Sequence, residues 1–295
     1  MHMSGTRIST TQALGALLLA LTIGACDKGA PLKHSIDADL MPTRPSAVPD
    51  AEVIDPPPTA APKPTEVGAS PAATATAATG SVVGTIKLDG AAPAMPKLDR
   101  SRDSNCPQDE AHASWVTVGA GGALRDAVVH FAPGAVKNAA TTPRGVPTVD
   151  QKGCLYRPYV VGLIKGQKLR VKNSDPTAHN VRAMNGDDQL FNEMHIATAP
   201  DKVMPVDAAP GNAVQLKCDI HPWMETWVYV SDSNLFAVTG ADGKFSIEGV
   251  PAGTYELEVW HPHLGKKTVK VTVKAGESTT ANVPAFSPAD YKAPQ

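Results

Sequence analysis

A short loop late in the chain carries three residue types that bind soft metal ions. Cys218, His221 and Met224 follow one another at the spacing Cys-x2-His-x2-Met, and another imidazole, His179, lies upstream in the segment Asn-Ser-Asp-Pro-Thr-Ala-His-Asn. Thiolate and thioether sulfur favour copper, and two His, one Cys and a weak axial Met form the ligand set of a mononuclear blue-copper centre. Because such a centre transfers single electrons, these four residues predict a copper-binding redox function.

Other metal sites fit the loop less well. Structural zinc sites use four Cys or His ligands, and thioether sulfur is not among the usual zinc ligands. A binuclear copper site needs a second Cys on the loop, and the sequence has neither that Cys nor a Cys-x-x-Cys motif. The alternative without a metal is a buried Cys near two ordinary loop histidines. The strand-like runs 213–217 and 226–230 on either side of the loop favour the metal site.

The loop and the segment around His179 resemble those of the cupredoxins, with the short loop spacing of the amicyanin type. The resemblance implies that His179, Cys218, His221 and Met224 bind one type 1 copper ion. It also implies that Asn180 links the two ligand loops by hydrogen bonds. In this family the downstream His edge lies near the surface and passes the electron, which here predicts an exit patch. Its residues would be His221, Pro222 and Trp223, although Trp223 is equally consistent with a core aromatic under the loop.

Short strand patterns predict an all-β fold. The runs 82–88, 127–131 and 168–172 have the composition or alternation of strands and are separated by Gly and Pro turns, and no long segment shows a helical period. The cupredoxin resemblance assigns residues 80–232 to a Greek-key β-sandwich. The segment 182–210 shows little strand pattern, which departs from a minimal cupredoxin.

The C-terminal part predicts a second, smaller unit over residues 233–286, followed by a tail at 287–295. Its Asp-Gly-Lys-Phe motif at 242–245 and Val-Pro-Ala-Gly-Thr-Tyr motif at 250–255 resemble carboxypeptidase regulatory-like domains. That resemblance implies a transthyretin-like β-sandwich. A unit of about 50 residues is marginal by itself, so we expect it to pack against the copper domain. His261 and His263 lie here, but two His without a third ligand leave a second metal site open.

The N-terminal residues 1–25 resemble a bacterial lipoprotein signal peptide. A short apolar run at 13–23 precedes Ile-Gly-Ala-Cys, which is similar to a lipobox and implies lipidation of Cys26. An ordinary signal peptide or a soluble helix is the alternative. Residues 26–79 form a Pro- and Ala-rich linker that lacks the apolar surface to fold. We therefore expect a lipid-anchored, periplasm-facing protein of the bacterial cell envelope, at either the inner or the outer membrane.

The remaining cysteines and the charge limit the other functions. With Cys26 and Cys218 assigned, an exported chain is expected to join Cys106 and Cys154 in a disulfide, with free thiols or a metal role as alternatives. The net charge of -2, from 27 basic and 29 acidic residues, excludes a basic surface for nucleic acid. No Ser-His-Asp arrangement or additional His cluster indicates an enzyme.

Three functions compete at this point. The first is a tethered carrier of single electrons between a redox donor and an acceptor. The second is a copper-binding protein for storage, delivery or sensing without electron-transfer duty. The third is a structural or adhesion module with a degenerate copper motif, and the intact set of four ligands argues against it.

Overall fold

The computed structural model describes residues 78–294, so the predicted signal peptide, Cys26 and nearly all of the predicted linker lie outside the described residues. The regular secondary structure of the described residues is almost entirely β-strand, which confirms the all-β fold class. The strands are β1 (Thr79–Thr85), β2 (Val128–Phe131), β3 (Thr148–Gln151), β4 (Tyr156–Arg157), β5 (Val160–Ile164), β6 (Lys168–Asn173), β7 (His179–Asn185), β8 (Asp188–His195), β9 (Lys202–Pro205), β10 (Ala213–Lys217), β11 (Glu225–Ser231), β12 (Phe236–Val238), β13 (Lys244–Pro251), β14 (Gly253–His261), β15 (Gly265–Val273) and β16 (Ser278–Thr280). Two three-residue 3-10 turns, Ala120–Gly122 and Pro288–Asp290, are the only helical elements of this described part.

Two sheets made from residues 148–231 enclose the first core. One has the strand order β5-β11-β10-β7-β8 and the other β4-β3-β6-β9. Strand β6 shows why these residues form a sheet face: Leu169 and Val171 alternate with polar residues and are completely buried. The same buried cluster takes in Val214 and Leu216 from β10, so it lies between the two sheets.

The other two sheets enclose a second core. Their strand orders are β13-β1-β16 and β12-β2-β14-β15. Val82 from β1 and Val129 from β2 are completely buried in this cluster together with Ile247, Leu257 and Val259 of the C-terminal strands. Strands that precede the first sandwich in the sequence and strands that follow it therefore build one common core.

This strand pairing differs from the expected division into residues 80–232 and 233–286. Strand β1 runs antiparallel to β13, and β2 lies between β12 and β14. The local pattern identified β1 and β2 as strands but contained no signal for their partners, which lie more than 100 residues later in the chain. The prediction that 182–210 carries little strand structure is also wrong, since β7, β8 and β9 occupy much of it.

Aromatic side chains join the two sandwiches. Tyr229 of β11 packs with ring centroids 4.7 Å from His130 and 6.1 Å from Trp260, and Trp227 lies 5.9 Å from Trp260. Gly162 of β5 faces the ring of Phe236 so closely that a Cβ atom would collide with it. The packing expected between the two units is thus present.

No helix within residues 78–294 has the length and apolar character needed to cross a membrane.

Candidate copper centre

Two loops at one end of the first sandwich bring the predicted ligands together. His179 is the first residue of β7, and the turn before it is held by Asn173, whose side-chain amide donates to the Thr177 carbonyl at 2.9 Å. The second loop, residues 218–224, joins β10 to β11. Its backbone is closed by hydrogen bonds from the Cys218 amide to the Met224 carbonyl (3.2 Å) and from the Met224 amide to the His221 carbonyl (2.8 Å).

Three of the four predicted ligands converge on one buried point. His179, Cys218 and His221 each offer a donor atom within 4.8 Å of the others. The Nδ1 atoms of His179 and His221 are 2.9 Å apart, and Cys218 Sγ lies 3.8 Å from His221 Nδ1. Two donors bound to one metal ion at bond lengths near 2 Å are about 3 to 4 Å apart. The spacing of these atoms is therefore that of donors sharing one ion.

The other ring nitrogen of each histidine is paired with an aspartate. His179 Nε2 lies 2.9 Å from Asp175 Oδ2, and His221 Nε2 lies 3.1 Å from Asp103 Oδ2. A carboxylate on one nitrogen selects the tautomer that carries its proton there, which leaves the lone pair of the other nitrogen for a metal. Both Nδ1 atoms are thus directed to the point where the sulfur of Cys218 lies.

Burial, hydrogen bonds and charges within this cluster shift the pKa values of its three donors in different directions. Burial raises the pKa of the Cys218 thiol, but hydrogen bonds from His179 and from nearby backbone amides outweigh burial and hold that pKa below its usual value. Burial lowers the pKa of His179, yet Asp175 and the Cys218 sulfur outweigh it and raise the pKa to about 9. Burial is the main reason why the pKa of His221 is lowered. Two of these shifts favour the ligand forms, which are the thiolate of Cys218 and the neutral imidazole of His221, whereas a metal ion must displace a proton from His179.

The donor set passes a simple test of fit for copper. If both Nε2 atoms are protonated toward aspartates, two Nδ1 lone pairs and a thiolate face each other, and they repel unless a cation lies among them. The His179 proton supplies positive charge in the free protein, and a metal ion replaces such protons when it binds. One soft thiolate with two imidazoles is a donor set suited to copper.

Asn180 links the two ligand loops, as the resemblance implied. Its side-chain oxygen accepts a 2.7 Å hydrogen bond from the Asp219 amide, and its side-chain nitrogen donates to Asp219 Oδ2 at 2.8 Å. The backbone amide of His221 also donates to Cys218 Sγ at 3.4 Å. The Asn180 bonds thus fix the residue that follows Cys218, and the His221 amide gives the sulfur a hydrogen bond of the kind that tunes a thiolate ligand.

The remaining predicted residues of the centre lie nearby. Met224 is completely buried at the end of the ligand loop, in the same cluster as Cys218. Cys106 and Cys154 form a disulfide in the structure. Their sulfur atoms lie within 4.8 Å of a ring nitrogen of His221, so the disulfide directly adjoins the centre.

The predicted exit patch is only partly at the surface. The expected surface position of the His221 edge is wrong, because its residue exposure is 1% and its outer nitrogen faces Asp103 rather than solvent. Pro222 is exposed. Trp223 is partly buried, lies with its ring centroid 5.2 Å from that of His221 in a tilted arrangement and donates to the Cys154 carbonyl at 2.9 Å. Its role in electron exit stays a prediction.

His261 and His263 do not join a metal-ligand cluster among the described residues. His263 Nε2 instead lies 2.6 Å from the Tyr159 hydroxyl and 3.3 Å from Glu225. His261 Nδ1 accepts a hydrogen bond from the His263 amide.

Sequence reasoning missed the two aspartates. Asp175 stands four residues before His179, within the same motif, and this spacing is a local signal that could have suggested the contact. Asp103 gave no such signal, because 118 residues separate it from His221.

Comparisons with known proteins support the two resemblances to different extents. The family model described as carboxypeptidase regulatory-like domain matches residues 226–285, which begins within β11 and ends near the expected boundary at 286. No curated protein matches the chain.

Three solved structures are similar to part of the chain. A Cu-containing nitrite reductase from Thermus scotoductus SA-01 has 23% identity and a TM-score of 0.26, over 34% of this chain and 25% of that one. A purple cupredoxin from Nitrosopumilus maritimus has 19% identity and a TM-score of 0.24, over 29% and 99%. A Cu(I) structure of an amicyanin mutant has 20% identity and a TM-score of 0.26, over 35% and 98%. Similarities this low assign no ligand or reaction to this chain.

Proposed function

We propose that this protein binds one type 1 copper ion through His179, Cys218, His221 and Met224 and carries single electrons. The observation that carries the proposal is the convergence of three buried donor atoms, two Nδ1 and one Sγ, with an aspartate on the outer nitrogen of each imidazole. When bound, copper supplies a one-electron couple. We assign no catalytic reaction to the chain.

The protein residues limit rearrangement between the two oxidation states. Asn180 and the backbone of the ligand loop hold Cys218, while Pro222 restricts the backbone next to His221. The buried side chain of Met224 would offer a thioether as a weak fourth ligand, and a ligand of this kind tunes the reduction potential of a bound copper ion. Held in this way, the four residues would allow a bound ion little change of geometry between its two oxidation states.

The cellular setting is part of the proposal. Lipidation at Cys26 would anchor the chain in the bacterial envelope, and the Pro- and Ala-rich linker would let the folded part meet a redox donor and an acceptor in the periplasm. Membrane fractionation of the native chain and of a Cys26→Ala variant tests the anchor. We expect the native chain in the membrane fraction and the variant in the soluble fraction.

A ligand test compares two histidine variants of the whole chain. His179→Ala should lose the intense thiolate-to-copper absorption, or shift it strongly, because a buried nitrogen donor is removed. His112→Ala is the matched control, since this imidazole is half exposed and belongs to none of the metal-ligand clusters found among residues 78–294. Equal spectra for the two variants would contradict the ligand assignment.

One observation favours the second function, copper storage, delivery or sensing. The edge of His221 is buried beneath Asp103, so this ligand presents no exposed edge for direct contact with a redox partner. The electron self-exchange rate between oxidised and reduced protein separates the two functions. Rapid exchange supports a carrier, whereas a stable copper complex that exchanges electrons very slowly supports storage or delivery.

A further inference from the structure

A loop from the N-terminal part of the folded chain covers the candidate copper centre. We call residues 96–112 the cap. Its ends are joined by hydrogen bonds from the Leu98 amide to the Ala111 carbonyl (2.8 Å) and from the Ala113 amide to the Pro96 carbonyl (3.0 Å). Apart from its cysteine, no sequence pattern connected this segment with the ligands.

Three contacts fasten the cap to the copper sandwich. The Cys106–Cys154 disulfide is the covalent one. The guanidinium of Arg100, which is only 6% exposed as a residue, donates to the Gly153 carbonyl at 3.2 Å. Thr177, in the turn before His179, donates its hydroxyl to Asp103 Oδ2 at 2.8 Å. The cap is thus fixed beside both ligand loops.

Asp103 presents its carboxylate to His221 in a defined orientation. The oxygen that faces His221 Nε2 is also the acceptor from Thr177, while the other oxygen accepts from the Asn105 amide at 2.8 Å. These partners fix the position of the carboxylate, so its placement does not depend on His221 alone. The contact turns Nδ1 of His221 toward Cys218 and closes the ligand edge to solvent.

The disulfide connects this carboxylate with the one on the other ligand. Cys106 lies three residues after Asp103, and its amide donates to the Asp103 carbonyl at 3.0 Å. On the far side, the amides of Gly153 and Cys154 donate to the two carboxylate oxygens of Asp175 at 2.6 and 2.8 Å. The disulfide therefore links the segment that holds Asp103 to the segment that holds Asp175. These two aspartates orient the histidines.

We infer that Asp103 is a positioning residue of the copper centre, supplied by the disulfide-anchored cap, and that it holds His221 in its metal-binding tautomer while favouring oxidised copper over reduced copper. This inference rests on the proposed copper function. A negative charge close to the centre stabilises the more positive oxidised state more than the reduced state. Carboxylate partners of metal-bound histidines typically change metal affinity by about 10- to 100-fold.

The first test measures reduction potentials of the copper-loaded whole chain. Asp103→Asn keeps a side-chain oxygen but removes the charge, and we expect the ratio of Cu(II) to Cu(I) affinity to fall about tenfold, which raises the potential by about 59 mV. Asp99→Asn is the matched control. It removes the same charge from the cap, but its carboxylate bonds only to Ser101 among the described residues. An Asp103→Asn potential no different from that of Asp99→Asn would overturn the inference.

The second test needs no copper. Nitrogen NMR of the metal-free whole chain should show His221 protonated at Nε2, and Asp103→Ala should lose this preference while Asp99→Ala keeps it. An unchanged tautomer in Asp103→Ala would also overturn the inference. Failure of the proposed function is distinguishable, because it would appear as a native chain without a thiolate-to-copper band, whatever the Asp103 variants do.

Discussion

At the scale of single residues, the centre depends on which atoms the protein leaves free to bind. Asp175 and Asp103 each occupy the outer nitrogen of a histidine, and Asn180 holds the ligand loop next to Cys218. The sequence pattern identified the donors because their types and spacing are local. It could not identify Asp103, whose proximity to His221 depends on the folding of a distant loop.

The axial residue gives the first prediction. Met224→Leu should keep the intense visible band, because the thiolate–copper bond remains, and should raise the reduction potential, because the axial donor that stabilises oxidised copper is lost. Absorption and voltammetry on the same sample measure both effects. Loss of the band with an intact fold, or a lowered potential, would contradict an axial role for Met224.

A buried carboxyl gives a prediction on pH. Burial raises the pKa of Asp126 from 3.8 to about 6, with Arg125 opposing the shift. Since the folded pKa lies above the unfolded one, this group favours the folded state most below pH 3.8, and that contribution is lost as pH rises from about 4 to 6. Asp126→Asn cannot ionise, and Asn tolerates the left-handed backbone found here (φ 63°).

We therefore expect Asp126→Asn to be more stable than the native chain at pH 7.5, by on the order of 3 kcal/mol. The advantage should shrink toward zero near pH 4. Urea unfolding of both chains at the two pH values measures the difference. A stability difference that is the same at both pH values would refute the assignment of a raised pKa to Asp126.

At the scale of elements, the second sandwich combines strands that precede the first sandwich in the sequence with strands that follow it. The strand patterns at 168–172 and 213–217 were predicted closely, because alternation of apolar and polar residues is a local property. The partners of β1 and β2 were not predicted, because strand pairing depends on contacts between distant parts of the chain, and a single sequence carries no local signal for them. The strands within 182–210 were missed because β8 is largely exposed and carries few buried residues.

Truncation tests this shared architecture. A chain ending at residue 232 lacks β13 and β14, the partners of β1 and β2, and so exposes Val82 and Val129 of the second core. We expect trypsin to cut it rapidly within residues 78–131. A chain ending at residue 286 keeps all sixteen strands and should resist cleavage there. Equal resistance of the two truncated chains would show that residues 78–131 fold without the C-terminal strands.

At the scale of the whole molecule, the sandwich around the second core helps to position the candidate copper centre. The cap follows β1 in sequence and precedes β2, so both of its flanking strands belong to the second core while the loop itself lies over His221. The aromatic contacts of Tyr229 and Trp260 join the two cores. A carboxypeptidase regulatory-like segment can thus help to hold a metal site to which it contributes none of the four proposed ligands.

The most direct test of copper binding and electron transfer is the visible spectrum of the whole chain through one redox cycle. We expect Cu(II) to produce an intense thiolate-to-copper band at one ion per chain, ascorbate to bleach it and reoxidation to restore it, with no such band in Cys218→Ala. Copper bound at one ion per chain without this band, or the same band in Cys218→Ala, would contradict the type 1 centre.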